Sequence, residues 1–257
     1  MYAFASGLCD YFITEMSRRR LLLLSSSSVH GHQYLVYARD EIIKLLKPCN
    51  VEKILFIPYA MKDHDAYTDT VAKALNTLNF EVEGIHTFSD PVKAVENAQA
   101  IFIGGGNTFQ LLKTLYDKSL ICPIRKRVHE DGMPYMGSSA GTNVATISIN
   151  TTNDMPIVYP PTFKALELIP FNINPHYIDA DPLSTHKGET REDRIGEYLE
   201  QPESHNVLGL REGCMLEVSE NKAFLRGIKG ARLFERNIPA RELCVNDDVS
   251  FLLNSCS

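Results

Sequence analysis

The residues best suited to chemistry lie in Gly137-Ser138-Ser139-Ala140-Gly141, a G-x-S-x-G run placed where an apolar segment gives way to a helix. A serine on a sharp strand-to-helix turn has its hydroxyl pushed clear of the backbone. The helix behind it aims its first amides at whatever that hydroxyl attacks. Gly137, Ala140 and Gly141 are small enough for the chain to turn and a substrate to approach. Ser139 is therefore the candidate nucleophile, with Ser138 the weaker choice because it lacks the symmetry of flanking glycines. The same letters also describe an ordinary glycine-rich turn, so the reading depends on partners.

A second loop supplies one kind of partner. Gly104-Gly105-Gly106-Asn107-Thr108 follows an apolar run and opens a helix. Successive glycines expose amides that can cradle an anion. The loop has neither a Gly-Lys-Ser/Thr ending nor G-x-G-x-x-G spacing, which argues against a nucleotide site. Beside a nucleophile it makes better sense as an oxyanion hole, for which acyl transfer needs aligned N–H donors. Gly106 and Ala140 are the nominated donors.

A serine also needs a base, and a base needs an orienting acid. Eight histidines are available. His30 and His32 form an H-x-H pair with no acidic partner at ligand spacing, which favours a surface loop over a metal site. His64, His86, His129 and His205 lie in polar contexts and read as solvated. His176, in Asn174-Pro175-His176, and His186 read as loop residues when taken alone. For the acid, Asp154 and Glu212 both stand as candidates, and spacing does not choose between them. Asp154 follows Ser139 too soon for the usual order of an α/β-hydrolase.

The elements that must position these groups alternate along the first half. Leu21–Leu24, Lys53–Ile57, Phe80–Thr87, Ala100–Ile103 and Pro134–Gly137 read as strands. Between them Gln33–Lys47, Asp65–Leu78, Pro91–Ala98, Thr108–Tyr116 and Pro123–Glu130 read as helices, with Asp90 as a cap. Such alternation predicts an α/β fold of three layers, a mostly parallel sheet with helices on both faces. Ligands bind such sheets beyond the carboxyl ends of the strands, where Ser139 and the triple glycine both fall. Residues 150–176 read as loops and short strands over the site. A helix is expected over Thr190–Glu200, with Thr190 and Asp193 at capping-box spacing. Val207–Leu210, Cys214–Val218 and Ala223–Leu225 suggest a mixed or antiparallel edge.

Composition narrows the function class. A chain of 257 residues with 44% hydrophobic and 23% charged residues is ordinary for a globular protein, and a net charge of -6 disfavours nucleic acid or an anionic membrane as partner. The Leu21–Leu24 run ends in four serines and is too short to span a bilayer. Six scattered cysteines without a C-x-x-C pair fit reduced thiols in a cytoplasmic protein. Residues 1–18 do not have the order of a secretory signal and read as an extension to one α/β domain over residues 19–257.

Taken together, Gly104–Leu112, Gly137–Gly141, Thr151-Thr152-Asn153-Asp154-Met155-Pro156-Ile157, Ile173-Asn174-Pro175-His176 and His186–Glu192 resemble peptidase E, the α-aspartyl dipeptidase family. The resemblance runs from about Leu21 into the C-terminal strands. It implies a class I glutamine-amidotransferase-like fold and a cytoplasmic serine peptidase without metal or cofactor. It implies cleavage after an N-terminal aspartate in dipeptides and short peptides, by a monomer or homodimer. Ser139 and His176 match the family's nucleophile and base, while Asp154 and Glu212 both match positions given to its acid. Arg191, with Asn107 and Thr108, is the expected substrate contact. Ser138 stands where the family often has Trp. A cyanophycinase-like or amidotransferase-like hydrolase and a non-catalytic binding module on the same fold are the alternatives. An amidotransferase would carry cysteine at position 139, and a module without catalysis could lack the serine or the histidine.

Overall fold

The computed structural model describes residues 18–254 except 182, 184 and 186. The expected extension over residues 1–18 thus lies, apart from Arg18, outside the described residues, as does His186. Leu21-Leu22-Leu23-Leu24 has no polar face, so a strand of that sequence must be covered on both sides. It forms β1 (Arg20–Leu24), an interior strand in which Leu21 and Leu23 enter one hydrophobic cluster and Leu22 and Leu24 another.

The same division organises the sheet. β2 (Lys53–Ile57), β3 (Glu81–Gly84), β4 (Ile101–Ile103) and β5 (Tyr135–Ser138) join β1 in the parallel order β3-β2-β4-β5-β1. Two antiparallel strands, β8 (Cys214–Ser219) and β9 (Lys222–Gly227), complete seven. On one face α1 (Arg39–Leu46) and α2 (His64–Asn76) bury Ile42, Leu46, Val71 and Leu75. On the other, α3 (Pro91–Asn97), α4 (Thr108–Asp117) and α5 (Ile121–His129) bury Val95, Leu111, Leu112 and Ile124. The fold is a three-layer α/β structure, and Asp90 caps α3 by accepting from Lys93 N–H at 3.0 Å.

A second sheet was not legible as such. It has four strands in the order β11-β10-β7-β6, with β6 (Asn172–Tyr177), β7 (Val207–Arg211), β10 (Ala231–Glu235) and β11 (Ile238–Leu243). Ile173, Leu208 and Leu210 bury against the large sheet's core. Tyr177, Val207 and Phe234 bury instead under Ile195 and Leu199 of α7 (Arg191–Leu199). The Thr190–Asp193 capping box that opens α7 is formed.

Two histidines expected in solvent are held in the structure. His86 has a side chain only 15% exposed, with Nε2 at 2.8 Å from Asp65 Oδ1. His129 ends α5 over the Glu167 carbonyl, and burial lowers its pKa from the ordinary 6.5 to about 4. Between these values the unfolded chain binds a proton that the folded one refuses. Stability is therefore fully present above about pH 6.5 and falls as pH drops toward about 4, by up to about 3 kcal/mol. His129→Gln should flatten the melting temperature over that window, as measured by thermal denaturation at successive pH values. An unchanged slope would assign the acid sensitivity elsewhere.

Candidate active site

The serine turn is built from close approaches. A Cβ on Gly137 would lie 2.5 Å from the Gly141 carbonyl oxygen, and one on Gly141 would lie 2.0 Å from that of Ile103. Only glycine lets the single turn α6 (Ala140–Asn143) sit this tightly on β4 and β5. Ser139, between strand and helix, is forced to φ 54° and ψ -110°, a conformation that costs energy in an L-residue. Its N–H is held by the Leu24 carbonyl at 3.1 Å. Ser138 is fully buried, and its hydroxyl finds no partner among the described residues.

His176 faces Ser139 from the other sheet. Its Nε2 lies 2.9 Å from Ser139 Oγ and its Nδ1 lies 2.8 Å from Glu212 Oε1. The chain delivers His176 through an irregularity: Asn174 pairs with Gly209, yet Tyr177 pairs with Arg211, and His176 takes φ 53°. Two residues thus face one, which turns the imidazole out of the ladder. Glu212 stands on the turn that carries the chain from β7 of the small sheet to β8 of the large one.

Asp154 is elsewhere. Its Oδ2 accepts from Thr108 N–H at 2.7 Å and from Thr108 Oγ1 at 2.6 Å, at the start of α4. Its Oδ1 has no partner among the described residues. Asn107 caps α4 by accepting from Gln110 N–H at 3.0 Å and donates to the Met155 carbonyl at 2.9 Å. Both residues therefore tie α4 to the loop that carries Asp154. Arg191 opens α7 with no hydrogen bond or ion pair of its own among the described residues, although the Asp154 charge acts on it. Burial lowers its pKa, as expected of a cation set partly into the protein.

The triple-glycine loop lies against the serine. A Cβ on Gly105 would be 3.0 Å from Ser139 Cβ. Gly105 N–H is spent on Tyr67 Oη at 2.7 Å, while the N–H groups of Gly106 and Ala140 are engaged by no protein group among the described residues. Gly106 needs its φ of 133°, because a Cβ there would meet the Ala60 carbonyl oxygen at 2.4 Å. Tyr67 was invisible to sequence reasoning, since it sits in the first turn of α2 with nothing local to mark it. Its phenol is pushed up by burial and stays protonated, a fixed neutral brace behind the loop. His30 and His32 are exposed. Among the described residues no group of three His, Cys, Asp or Glu is placed to hold a metal.

The arrangement has relatives. The sequence model of Peptidase family S51 matches residues 21–226. A Drosophila melanogaster protein named "Probable alpha-aspartyl dipeptidase" is 54% identical over 237 residues, 92% of this chain and 98% of that one. Peptidase E of Streptomyces coelicolor is 51% identical over 234 residues, 91% of this chain and 95% of its own. Among solved structures, a peptidase from an acI-B1 Actinobacterium superposes with TM-score 0.69 at 17% identity, covering 92% of this chain and 98% of its own, which speaks to the fold alone. A family match over most of the chain, with relatives more than half identical across nine-tenths of it, places this protein in peptidase family S51.

Proposed function

We propose that the chain is a serine-type dipeptidase that cleaves the peptide bond after an N-terminal aspartate. The observation that carries the reading is the continuous line from Glu212 through His176 to Ser139, at 2.8 Å and 2.9 Å, ending on a strained serine. His176 Nε2 takes the proton as Ser139 Oγ attacks the carbonyl carbon of the aspartyl residue. Glu212, on Nδ1, fixes the tautomer and stabilises the imidazolium that forms. The unengaged amides of Gly106 and Ala140 receive the oxyanion. His176 then passes its proton to the leaving amine, and the bond breaks to leave an aspartyl ester on Ser139. Water, deprotonated by the same nitrogen, attacks the ester and frees the serine.

Substrate selection rests on the second oxygen of Asp154 and the guanidinium of Arg191, which carry no hydrogen bond among the described residues. Asp154 Oδ1 suits the free α-ammonium group of the substrate, and a carboxylate there favours a chain that begins at the aspartate. Arg191 suits the β-carboxylate, which a guanidinium can grip with two parallel hydrogen bonds. The four described cysteines are all unpaired, which fits a reducing, cytoplasmic setting.

Three measurements test this reading. Ser139→Ala should lower kcat on Asp-Leu by several orders of magnitude without changing the melting profile by more than about 1 kcal/mol, and substantial residual turnover would remove Ser139 from the role. Glu212→Gln should cut kcat by about 100-fold or more, whereas Asp154→Asn should act chiefly on KM. The reverse pattern would exchange the two carboxylates. Arg191→Met should cost roughly 2–3 kcal/mol in kcat/KM on Asp-Leu and narrow the gap between Asp-Leu and Asn-Leu. Unchanged discrimination between those dipeptides would move the role to another cation.

A further inference from the structure

Four serines, Ser25–Ser28, close the leucine strand, and the first of them is fully buried at the joint between the two sheets. Ser25 N–H donates to the Cys214 carbonyl at 3.1 Å, extending the pairing of β1 with β8. Its hydroxyl donates to the Leu210 carbonyl of β7 at 2.8 Å and accepts from His176 N–H at 2.9 Å. One side chain thereby joins β1 to the strand that carries His176 and to the strand that leads into Glu212. It does so at the irregularity where His176 and Leu210 can no longer serve each other in the ladder.

The preceding residue completes the joint. The Leu24 carbonyl accepts from Ser139 N–H at 3.1 Å and from Thr142 Oγ1 at 2.6 Å. Leu24 thus anchors the serine turn by its carbonyl and Ser25 the backbone of the histidine by its hydroxyl. This dipeptide therefore holds the backbone of both Ser139 and His176.

We propose that Ser25 is a positioning residue of the reaction, holding His176 within reach of Ser139 without touching substrate. The proposal rests on the catalytic roles given above to Ser139 and His176. Without the hydroxyl, the His176 N–H and the Leu210 carbonyl lose their buried partner, and the strained backbone at His176 is free to relax. A displacement of about 1 Å between reacting groups is enough to cost roughly 100-fold in rate.

The test compares Ser25→Ala and Ser25→Cys with Thr146→Val, which removes another fully buried hydroxyl, bonded to the Asn143 and Ser148 carbonyls. With Asp-Leu as substrate, Ser25→Ala should lose about 100-fold in kcat with KM within about threefold, and the far-downfield proton NMR signal of the His176–Glu212 hydrogen bond should broaden or disappear. Thr146→Val should keep both kcat and that signal at equal loss of melting temperature. Ser25→Cys keeps the volume but is a weaker hydrogen-bonding group, so it should fall between and serves if the alanine variant does not fold. Full kcat in either folded Ser25 variant, or a loss no larger than that of Thr146→Val, overturns the proposal. Ser139→Ala is assayed in parallel: activity in that variant defeats the catalytic reading itself, whereas an inert Ser139→Ala beside a fully active Ser25→Ala defeats only the role of Ser25.

Discussion

Ser139 belongs to one sheet and His176 to another, and a 2.9 Å contact between them persists only while the two sheets keep their register. Nothing in either sheet alone enforces this. The large sheet fixes Ser139 through three glycine-permitted approaches, at Gly105, Gly137 and Gly141. The small sheet presents His176 from an irregular stretch of β6 and Glu212 from the turn after β7. The chain passes between the sheets at Glu212 itself, so its carboxylate stands on the covalent hinge of the site. Strain at Ser139 and at His176 persists because the surrounding backbone leaves no alternative.

Two carboxylates of the same formal charge end in different surroundings, and these separate their possible roles. Glu212 reaches an imidazole nitrogen, where a fixed anion sets a tautomer. Asp154 accepts from the first amide of a ten-residue helix and from the Thr108 hydroxyl. In the proposed assignment the second oxygen of Asp154 receives a cation and Arg191, on which the Asp154 charge acts, receives an anion. An N-terminal aspartate, the substrate proposed above, carries one of each on the same residue. A peptide extended at its amino end would replace the ammonium group by a neutral amide and lose the proposed pairing with Asp154.

The order of elements was largely legible because buried parallel strands leave unmistakable apolar runs. Lys53–Ile57 and the capped helix at Asp90 appear where the sequence puts them. The predicted strand over Phe80–Thr87 is shorter, since residues Ile85–Thr87 turn into a short 3-10 helix. The hairpin of β10 and β11 escaped notice: its turn uses Arg236-Asn237 rather than glycine, and β11 is mostly exposed, with Pro239 on a sheet edge. At the site, Ser139 announces itself through its neighbours. His176 does not, because its approach to Ser139 depends on pairing between strands distant in sequence. For the same reason spacing could not choose between Asp154 and Glu212. Ser25 carried one usable signal, its place at the carboxyl end of a buried strand. Tyr67 carried none.

The exposure of the site explains a further cluster. The side chains of His176 and Glu212 are 36% and 49% exposed, so their mutual attraction is screened by water and gives little rigidity of its own. The rigidity comes from behind. Arg211, next to Glu212, donates to both oxygens of Asp179 at 2.7 Å and to Glu242 at 2.5 Å and 2.9 Å. Asp179 follows His176 by three residues, and the guanidinium lies 5.9 Å from the Tyr177 ring. Its hydrogen bonds, and after them its charge, hold Asp179 below the ordinary carboxylate pKa. A planar group with donors in a fixed fork can join three strand ends in one geometry, which a lysine could not. The two exposed partners of the site thus sit on backbone that is braced on both sides, by Ser25 from the large sheet and by Arg211 within the small one. A solvent-open site can then admit a short charged peptide and still keep its reacting atoms in line.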